Sequence, residues 1–344
     1  MTATLPEGLL AWALDHLPGA PEAAAAPETV AGDASNRRYF RLRLGERSVV
    51  LAYAPPATEK NHAFVEVAGL LAGAGVHVPD VIAVDYERGF LLLEDLGDDL
   101  LLPVLEPANV DRYYAQACTL LARLAALPVD ALSMLVYDAA LVREELSRFP
   151  EWFVAGLLQH TPNPAELKLW DAVSTRLTES ALEQPRVLVH RDFHSRNLML
   201  LPGDEMALID FQDAVIGPVT YDLVSLLRDC YIRWPSSQVR AWALTHRDAL
   251  VAANLLTPVD DAHFLRWFDL MGLQRHIKVL GNFARLSVRD DRHGYLADLP
   301  MVIGYILEVL DDNAIAEPVL GDFAAWFRDV LLPRAREHDW GAAL

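Results

Sequence analysis

The 344-residue sequence predicts an α+β protein with two lobes, a small N-lobe built on an antiparallel sheet and a larger helical C-lobe. Two pairs of segments within the first 96 residues are short, apolar-rich and joined by turn residues, as the strands of hairpins are, and the first of these segments alternates apolar and polar side chains. From Asn109 onward, most apolar residues recur with helical spacing. Between these regions, residues 95–98 interrupt both patterns with a turn-forming composition. We therefore expect an N-lobe at 1–96 and a C-lobe at 97–344.

The N-lobe elements are expected in a simple order along the chain. An amphipathic helix at about 7–17 precedes an Ala/Pro-rich linker at 19–27. A further helix is indicated at 64–71, where glycines and Pro79 end the periodic pattern. The strands are expected at 39–44, 48–53, 81–85 and 90–94.

The C-lobe is expected to be helical except around one polar region. Helical periodicity is clearest at 113–121, 141–158 and 165–182, and it returns in several segments after Tyr221. Short apolar runs at 187–189, 198–201 and 206–209 instead predict strands that flank polar loops. These loops are where we expect the functional residues.

Composition limits the classes of function. The formal charge is −19, from 48 acidic and 29 basic residues, so general attraction to nucleic acid is not expected. The N-terminus lacks a cationic stretch followed by an apolar one, and no apolar run reaches the roughly 18 residues of a membrane span. We expect a cytoplasmic protein that acts on a small molecule, with no membrane association and no evident obligate protein partner.

The residues from His190 to Asn197 carry the strongest chemical signal. They fit the pattern H-R-D-x-x-x-x-N, and Asp210 and Phe211 stand where a kinase has its D-F-G. In that chemistry, Asp192 orients the attacking hydroxyl and accepts its proton, while Asn197 and Asp210 hold Mg²⁺ across the phosphates. His190 is expected to support the loop, and Phe211 to pack beneath Asp210. Together with the lobe layout, this pattern predicts a protein-kinase-like fold.

The short spacing after Asp210 favours a small-molecule acceptor. A protein kinase needs a long activation segment between its D-F-G and A-P-E elements, whereas here a helical pattern begins only a few residues later, at 217–227. Asp222 lies near the start of that helix. We expect it to cap the helix or to hydrogen-bond back to the catalytic loop.

Two alternatives remain open on the residues alone. His190, Asp192, His194 and Asp210 are all competent ligands for zinc or manganese, so a metal-dependent hydrolase is one of them. The other is a catalytically silent nucleotide-binding module, because the strand at 48–53 lacks the phosphate-gripping lysine of typical kinases. Which residue replaces that lysine is not evident from the sequence.

Several segments resemble known phosphotransferases. Residues 188–197, 208–213 and 217–228 resemble the aminoglycoside phosphotransferase and choline kinase superfamily. A closer resemblance, carried by residues 32–40, 190–197, 210–214, 226–231 and 273–281, is to bacterial kinases of cell-wall amino sugars. It implies transfer of phosphate from ATP, with Mg²⁺, to the anomeric hydroxyl of N-acetylmuramate or N-acetylglucosamine. A kinase of another hydroxylated metabolite, such as an aminoglycoside, remains an alternative.

The expected ligand-binding residues fall into two sets. For the nucleotide, a phosphate loop over 32–36 would use Ser35 and Asn36, an apolar ceiling would include Val50, and a hinge would use Glu94 and Leu96. For the sugar, Arg228 or Arg275 could bind the carboxylate of N-acetylmuramate, and Tyr231 or Trp234 could stack on the ring. Asp229 is also expected in the substrate site.

Overall fold

A computed structural model describes residues 4–17, 26–30 and 36–344, and the chain divides into two compact units. The first, here called the sheet unit, comprises Met1–Asn109 and Arg196–Ala214; the second, the helical unit, comprises Val110–Ser195 and Val215–Leu344. The predicted boundary after residue 96 differs from this division. A hairpin of the second segment joins the sheet unit because its backbone bonds there: Leu208 N–H donates to His77 O, Leu101 N–H to Leu198 O and Leu200 N–H to Asp99 O.

The strands among the described residues form one five-stranded sheet and two two-stranded sheets. The described strands are β1 Glu28–Val30, β2 Arg38–Leu44, β3 Arg47–Tyr53, β4 Val81–Asp85, β5 Phe90–Glu94, β6 Arg186–Val189, β7 Leu198–Leu201, β8 Glu205–Leu208 and β9 Val215–Pro218. The antiparallel sheet of the sheet unit has the order β1-β2-β3-β5-β4, and β7 pairs with β8 in the same unit. In the helical unit, β6 pairs with β9.

The α-helices belong mostly to the helical unit. The described α-helices are α1 Leu9–Asp15, α2 Asn61–Gly73, α3 Val110–Ala125, α4 Ala139–Arg148, α5 Pro164–Leu182, α6 Tyr221–Leu227, α7 Ser236–Ala252, α8 Asp261–Asp290, α9 Leu299–Asn313, α10 Pro318–Trp326 and α11 Leu332–Ala335. The segment predicted as one helix at 141–158 is α4 followed by a π-helical stretch, Phe149–Leu157. None of the described helices combines the length and apolar character needed to cross a bilayer.

Side-chain alternation explains how the five-stranded sheet is packed. Every second residue of its central strands points to α1, and this cluster is buried around Trp12. Its strand members are Phe40, Leu42, Val49, Leu51, Phe90 and Leu92. Residues in between, such as Val50, therefore lie on the opposite face.

The helical unit is organised around α8. This 30-residue helix contacts α4, α5, α6, α7 and α9, and nearly every residue from Trp267 to Leu280 is buried. Burial on all sides is typical of a helix at the centre of a bundle. It places even polar residues of α8, such as Gln274, Arg275 and Lys278, in the interior of the unit.

The predicted strands and the α+β class are confirmed, with small shifts at the ends. Two strands were not predicted. Strand β1 has only three residues and follows the Ala/Pro-rich segment, while β9 contains Gly217 and Pro218, which are unfavourable in strands. Both exist because a longer partner pairs with them, β2 in one case and β6 in the other.

Candidate active site

Asp222 fixes the backbone of the loop that follows β6. Its carboxylate accepts hydrogen bonds from the backbone N–H groups of His190 and Arg191, at 2.6 and 2.9 Å. Arg191 has a left-handed φ of 78°, which costs a non-glycine residue on the order of 1 kcal/mol or more and requires such support. Burial raises the pKa of Asp222 to about 6, while the charge of His190 and the two N–H groups oppose that shift. These two hydrogen bonds fix the backbone conformation of the residues just before Asp192.

Asp229 braces the far end of the same loop. One carboxylate oxygen accepts from the backbone N–H and the hydroxyl of Ser195, at 2.9 and 2.5 Å, and the other accepts from the Tyr231 N–H at 3.1 Å. The side chain is buried, and it does not line the cavity described below. The position of Asp229 is therefore that of a loop brace, which differs from the substrate contact that the sequence suggested.

A cavity of about 80 Å³ lies beside Asp192 within the helical unit. Its walls combine one carboxylate, two long cationic side chains and aromatic rings. The lining residues are Asp192, His194, Cys230, Tyr231, Arg275, Lys278, Val279, Asn282 and Phe283.

The cations of this cavity set the charge state of Asp192. Burial favours the neutral carboxyl, but the positive charges of Lys278, His194 and Arg275 outweigh it and lower the pKa of Asp192 to about 2. Asp192 is therefore ionised at every pH at which the protein is expected to work. Such a carboxylate accepts a hydrogen bond from a hydroxyl strongly and removes its proton weakly.

The two candidate arginines have different positions. Arg275 lines the cavity and donates to the Cys230 Sγ at 3.6 Å. Arg228 instead forms a buried ion pair with Asp269 at 2.7 Å, and its guanidinium lies 4.7 Å from the centre of the Phe268 ring. Arg228 does not line the cavity, because α6 directs it against α8, so the carboxylate-binding role remains with Arg275 of the two.

The two aromatic residues expected to stack on the sugar also have different positions. Tyr231 lines the cavity, with its ring 5.5 Å from that of His194. Trp234 is buried, and its indole N–H donates to the Tyr114 hydroxyl at 2.9 Å. Tyr231 is therefore the aromatic residue of this pair that a sugar in the cavity could reach.

A buried carboxylate that the sequence did not single out supports the cavity from behind. Glu145 of α4 pairs with Lys278 at 3.0 Å and also with Arg191, and the Tyr137 hydroxyl donates to it at 2.5 Å. Burial would raise the pKa of Glu145, but Lys278 and Arg191 lower it to about 2. Lys278 also donates to the Tyr221 hydroxyl at 2.8 Å. Glu145 thus keeps two cations in place beside Asp192.

In the sheet unit, Asn197 and Asp210 lie at the same end of the β7–β8 hairpin. Leu198 pairs with Leu208 in the ladder, and the Ile209 N–H donates to Asn197 O at 3.0 Å. Asp210 follows with a left-handed φ of 65°, and its carboxylate accepts from the Gln212 side chain at 2.7 Å. Asn197 and Asp210 therefore flank the paired ends of β7 and β8.

Asn197 and Asp210 suit Mg²⁺ in their chemistry. An amide oxygen and a carboxylate oxygen are hard donors, and Mg²⁺ is usually held by one or two such protein groups together with phosphates and water. Over the described ranges 4–17, 26–30 and 36–344, no group of three or more His, Cys, Asp or Glu side chains is arranged to hold a metal ion.

The remaining nucleotide candidates also lie in the sheet unit. Phe211 is fully buried and packs on Phe64 of α2, with ring centres 4.8 Å apart. Val50 is half-buried on the sheet face away from α1, as a ceiling residue requires, and Asn36 is exposed just before β2. Ser35 lies outside the described residues.

The segment after β5, where the hinge is expected, is anchored by Arg41. The guanidinium of Arg41 donates to Asp95 at 2.6 Å and to Asp98 at 2.7 Å. Glu94 donates its backbone N–H to Asp80 O at 2.9 Å, and its carboxylate accepts from the Asp80 N–H at 3.2 Å. Leu96 is half-buried between the two anchored aspartates.

Comparison with known proteins places these features in a family context. Residues 27–257 match the phosphotransferase enzyme family. The N-acetylmuramate/N-acetylglucosamine kinase of Pseudomonas aeruginosa is 46% identical over 275 residues, which cover 80% of either chain. The enzymes of the same name from Neisseria meningitidis serogroup B and Caulobacter vibrioides are 38% and 31% identical, covering 81% and 87% of this chain and 84% and 90% of theirs.

Solved structures agree at the level of the fold. An ADP-bound aminoglycoside phosphotransferase aligns with a TM-score of 0.59 and 14% identity, covering 89% of this chain and 99% of its own. The choline kinase LicA of Streptococcus pneumoniae aligns with a TM-score of 0.58 and 15% identity, covering 83% and 95%. These similarities confirm the predicted fold class.

Proposed function

Because the chain belongs to the phosphotransferase enzyme family, we propose that it is a kinase that transfers the γ-phosphoryl group of ATP to the anomeric hydroxyl of an amino sugar. The proposed acceptors are N-acetylmuramate and N-acetylglucosamine, and the product is the sugar 1-phosphate. The names and the high identity of the curated relatives support this choice. We expect the protein to act on the free sugar in the cytoplasm, without nucleic acid, membrane or an obligate protein partner.

The charge of the cavity is the observation that favours an amino sugar over an aminoglycoside. The net charge of −19 suits a cationic acceptor, but the cavity wall carries Arg275 and Lys278 against one lining carboxylate, Asp192, with Glu145 behind the wall as the partner of Lys278. An aminoglycoside brings several ammonium groups, which these cations would repel. A neutral N-acetylglucosamine or an anionic N-acetylmuramate meets no such repulsion.

Asp192 is the proposed catalytic residue. Its pKa of about 2 makes it a hydrogen-bond acceptor that orients the sugar hydroxyl, and not a strong ground-state base. That suffices for phosphoryl transfer through a loose transition state, in which little charge develops on the attacking oxygen before the bond to phosphorus forms. The hydroxyl proton passes to the Asp192 carboxylate as the new P–O bond completes.

Asn197 and Asp210 are the proposed holders of Mg²⁺, for which their oxygen donors are suited. When bound, the ion neutralises charge on the β- and γ-phosphates of ATP. The left-handed backbone at Asp210 and the hydrogen bond from Gln212 fix the direction of its carboxylate. Phe211, packed on Phe64, fixes the backbone next to it.

The test is to incubate the purified protein with ATP, Mg²⁺ and a panel of N-acetylmuramate, N-acetylglucosamine, kanamycin and choline, and to identify products by phosphorus NMR. The expected product is a glycosyl 1-phosphate. In Asp192→Asn, the rate at which it forms should fall by about 10²–10⁴-fold. Adenosine binding by the variant serves as the control for folding. Phosphate on another hydroxyl would contradict the regiochemistry, a kanamycin product would favour the aminoglycoside alternative, and ATP binding without any turnover would favour a silent module.

A further inference from the structure

Arg37 places a buried positive charge in the sheet unit, where β3 supplies no lysine. Its side chain is only 3% exposed, and its Nε lies 3.1 Å from the Oε2 of Glu59, whose side chain is 12% exposed. Glu59 stands directly before the N-cap of α2. A cation on the sheet is thus paired with a carboxylate at the start of the neighbouring helix.

The Arg37 side chain is also fixed to the segment that carries Asp210. Its guanidinium lies 4.9 Å from the centre of the Phe64 ring, and Phe64 packs on Phe211, the residue after Asp210. This chain of contacts is short and buried. It ties the position of the Arg37 charge to the expected metal ligand.

The pKa of Tyr39 also indicates that Arg37 and Asp210 lie near each other. Partial burial raises the pKa of Tyr39, the adjacent Arg37 guanidinium opposes this shift, and the negative charges of Asp210 and Glu59 add to it. Both the cation and the Asp210 carboxylate therefore act on one phenol.

Stability alone does not account for a buried pair of this kind. Removing a guanidinium and a carboxylate from water costs several kcal/mol per ion, and the attraction between them often does no more than offset that cost. An apolar pair of similar volume would pack against Phe64 equally well. The chain has a formal charge of −19, however, and a triphosphate is an anion. A fixed cation near Asp210 would therefore stabilise the bound triphosphate.

We propose that Arg37 binds the phosphates of ATP and takes the place of the missing strand lysine, with Glu59 as the carboxylate that holds it. The proposal rests on the proposed function only in taking the protein to be an ATP-dependent enzyme. A guanidinium suits the task because its planar fork can contact two phosphate oxygens at once.

Lys60 is the competing cation. Its Nζ lies 2.7 Å from the Oδ1 of Asp213, close in sequence to Asp210, but the two side chains are 66% and 43% exposed. An exposed pair is screened by water and held weakly. Arg37 is enclosed and held on several sides, so it is the better-organised phosphate contact.

The experiment measures nucleotide binding without any sugar. ATP with Mg²⁺ and adenosine are titrated calorimetrically into wild type, Arg37→Gln, Arg37→Lys, Lys60→Gln and the control Arg38→Gln. Arg38 is the adjacent cation, and its guanidinium lies over Tyr53 and donates to Thr4 O instead. We expect Arg37→Gln to weaken ATP binding about 30-fold or more while adenosine binding stays within threefold, in keeping with the loss of a charged phosphate contact. Arg37→Lys should recover part of the loss, and Arg38→Gln and Lys60→Gln should stay within threefold.

Two results would overturn the proposal. One is ATP binding by Arg37→Gln within threefold of wild type, and the other is a loss that appears in Lys60→Gln instead. If Arg37→Gln also loses adenosine binding, the deciding measurement is the ratio of ATP affinity to adenosine affinity in Arg37→Lys. Loss of a purely structural arginine would leave that ratio as it is in the wild type. An unchanged ratio would therefore overturn the proposal. A protein that needs Arg37 for ATP but phosphorylates no amino sugar would refute the proposed function alone.

Discussion

The arginines around the cavity of the helical unit differ in what they are free to bind. Arg228 is committed to Asp269 and lies against Phe268, whereas Arg275 faces the cavity next to Cys230. Burial beside a cavity makes a cation effective, because the few water molecules present screen its charge weakly. At the residue scale, Arg275 is therefore the arginine of this pair that we propose to bind the carboxylate of an anionic sugar.

Substitution of Arg275 should change the choice between sugars. We expect Arg275→Gln to lower kcat/KM for N-acetylmuramate about 10- to 100-fold, as loss of a charged hydrogen bond predicts, and to change kcat/KM for N-acetylglucosamine by less than about threefold. Steady-state kinetics with both sugars measure this ratio.

Arg228→Met is the matched control for the Arg275 prediction. It should lower the melting temperature, because Asp269 keeps only its contact with Arg240, yet leave the ratio between the two sugars unchanged. Equal losses for both sugars in Arg275→Gln would show that Arg275 does not read the carboxylate.

At the element scale, α8 is the helix on which the cavity depends. It contributes Arg275, Lys278, Val279, Asn282 and Phe283 to the walls. The backbone approaches α4 closely at Gly281, where an added Cβ would lie 2.6 Å from the carbonyl carbon of Arg148. Glycine there allows α8 and the end of α4 to pack without an intervening side chain.

Two glycine-to-alanine substitutions should therefore act in opposite directions. Gly281→Ala should destabilise the protein by about 1–3 kcal/mol, because backbone atoms of Arg148 must shift. Gly69→Ala, in α2, should stabilise it by about 0.5–1 kcal/mol, because an added Cβ meets nothing within 4 Å and alanine reduces the entropy of the unfolded chain. Chemical denaturation measures both, and a neutral Gly281→Ala would contradict the close packing.

Most elements follow from local patterns, and the exceptions have local reasons. The four predicted strands of the main sheet are apolar-rich segments bounded by turn residues, whereas β1 and β9 are short or contain glycine and proline. The region 141–158 reads as a continuous helix, yet the structure has a π-helical stretch from Phe149, with Pro150 at its start. Proline lacks the N–H that an α-helical bond from that position would need.

At the scale of the whole molecule, the Glu145 cluster joins elements that are distant along the chain. It links α4, the catalytic loop and α8 through Arg191 and Lys278, and Tyr137 and Gln274 complete its hydrogen bonds. The Glu145 side chain is fully buried, so water cannot replace its carboxylate without cost.

This cluster predicts how stability depends on pH. The pKa of Glu145 is lowered from 4.5 to about 2 in the folded state, so the folded protein binds fewer protons than the unfolded chain between these values. Its contribution, roughly 3 kcal/mol, is fully present above about pH 5 and is lost as the pH falls toward 2. Urea denaturation at pH 7, 4 and 3 should show Glu145→Gln much less stable at pH 7 and the gap to wild type narrowing at pH 3.

Glu144→Gln provides the control, because Glu144 is exposed and pairs with Arg148 only at the surface. It should change stability little at any of these pH values. A gap between wild type and Glu145→Gln that is the same at pH 7 and pH 3 would exclude the proposed ionisation of Glu145.

The sequence by itself determined the fold class and pointed to Asp192, Asn197 and Asp210, since these residues lie in short motifs whose spacing reflects one loop and one hairpin. Only the tertiary structure separated Arg275 from Arg228, placed Asp229 against the catalytic loop, decided that Asp222 bonds to that loop and does not cap its helix, and revealed the Arg37–Glu59 pair and Glu145. The physical reason is distance along the chain. Arg228 and Asp269 are 41 residues apart, and Ser195 and Asp229 are 34 apart, so whether a charge is free or paired depends on packing that no local pattern records.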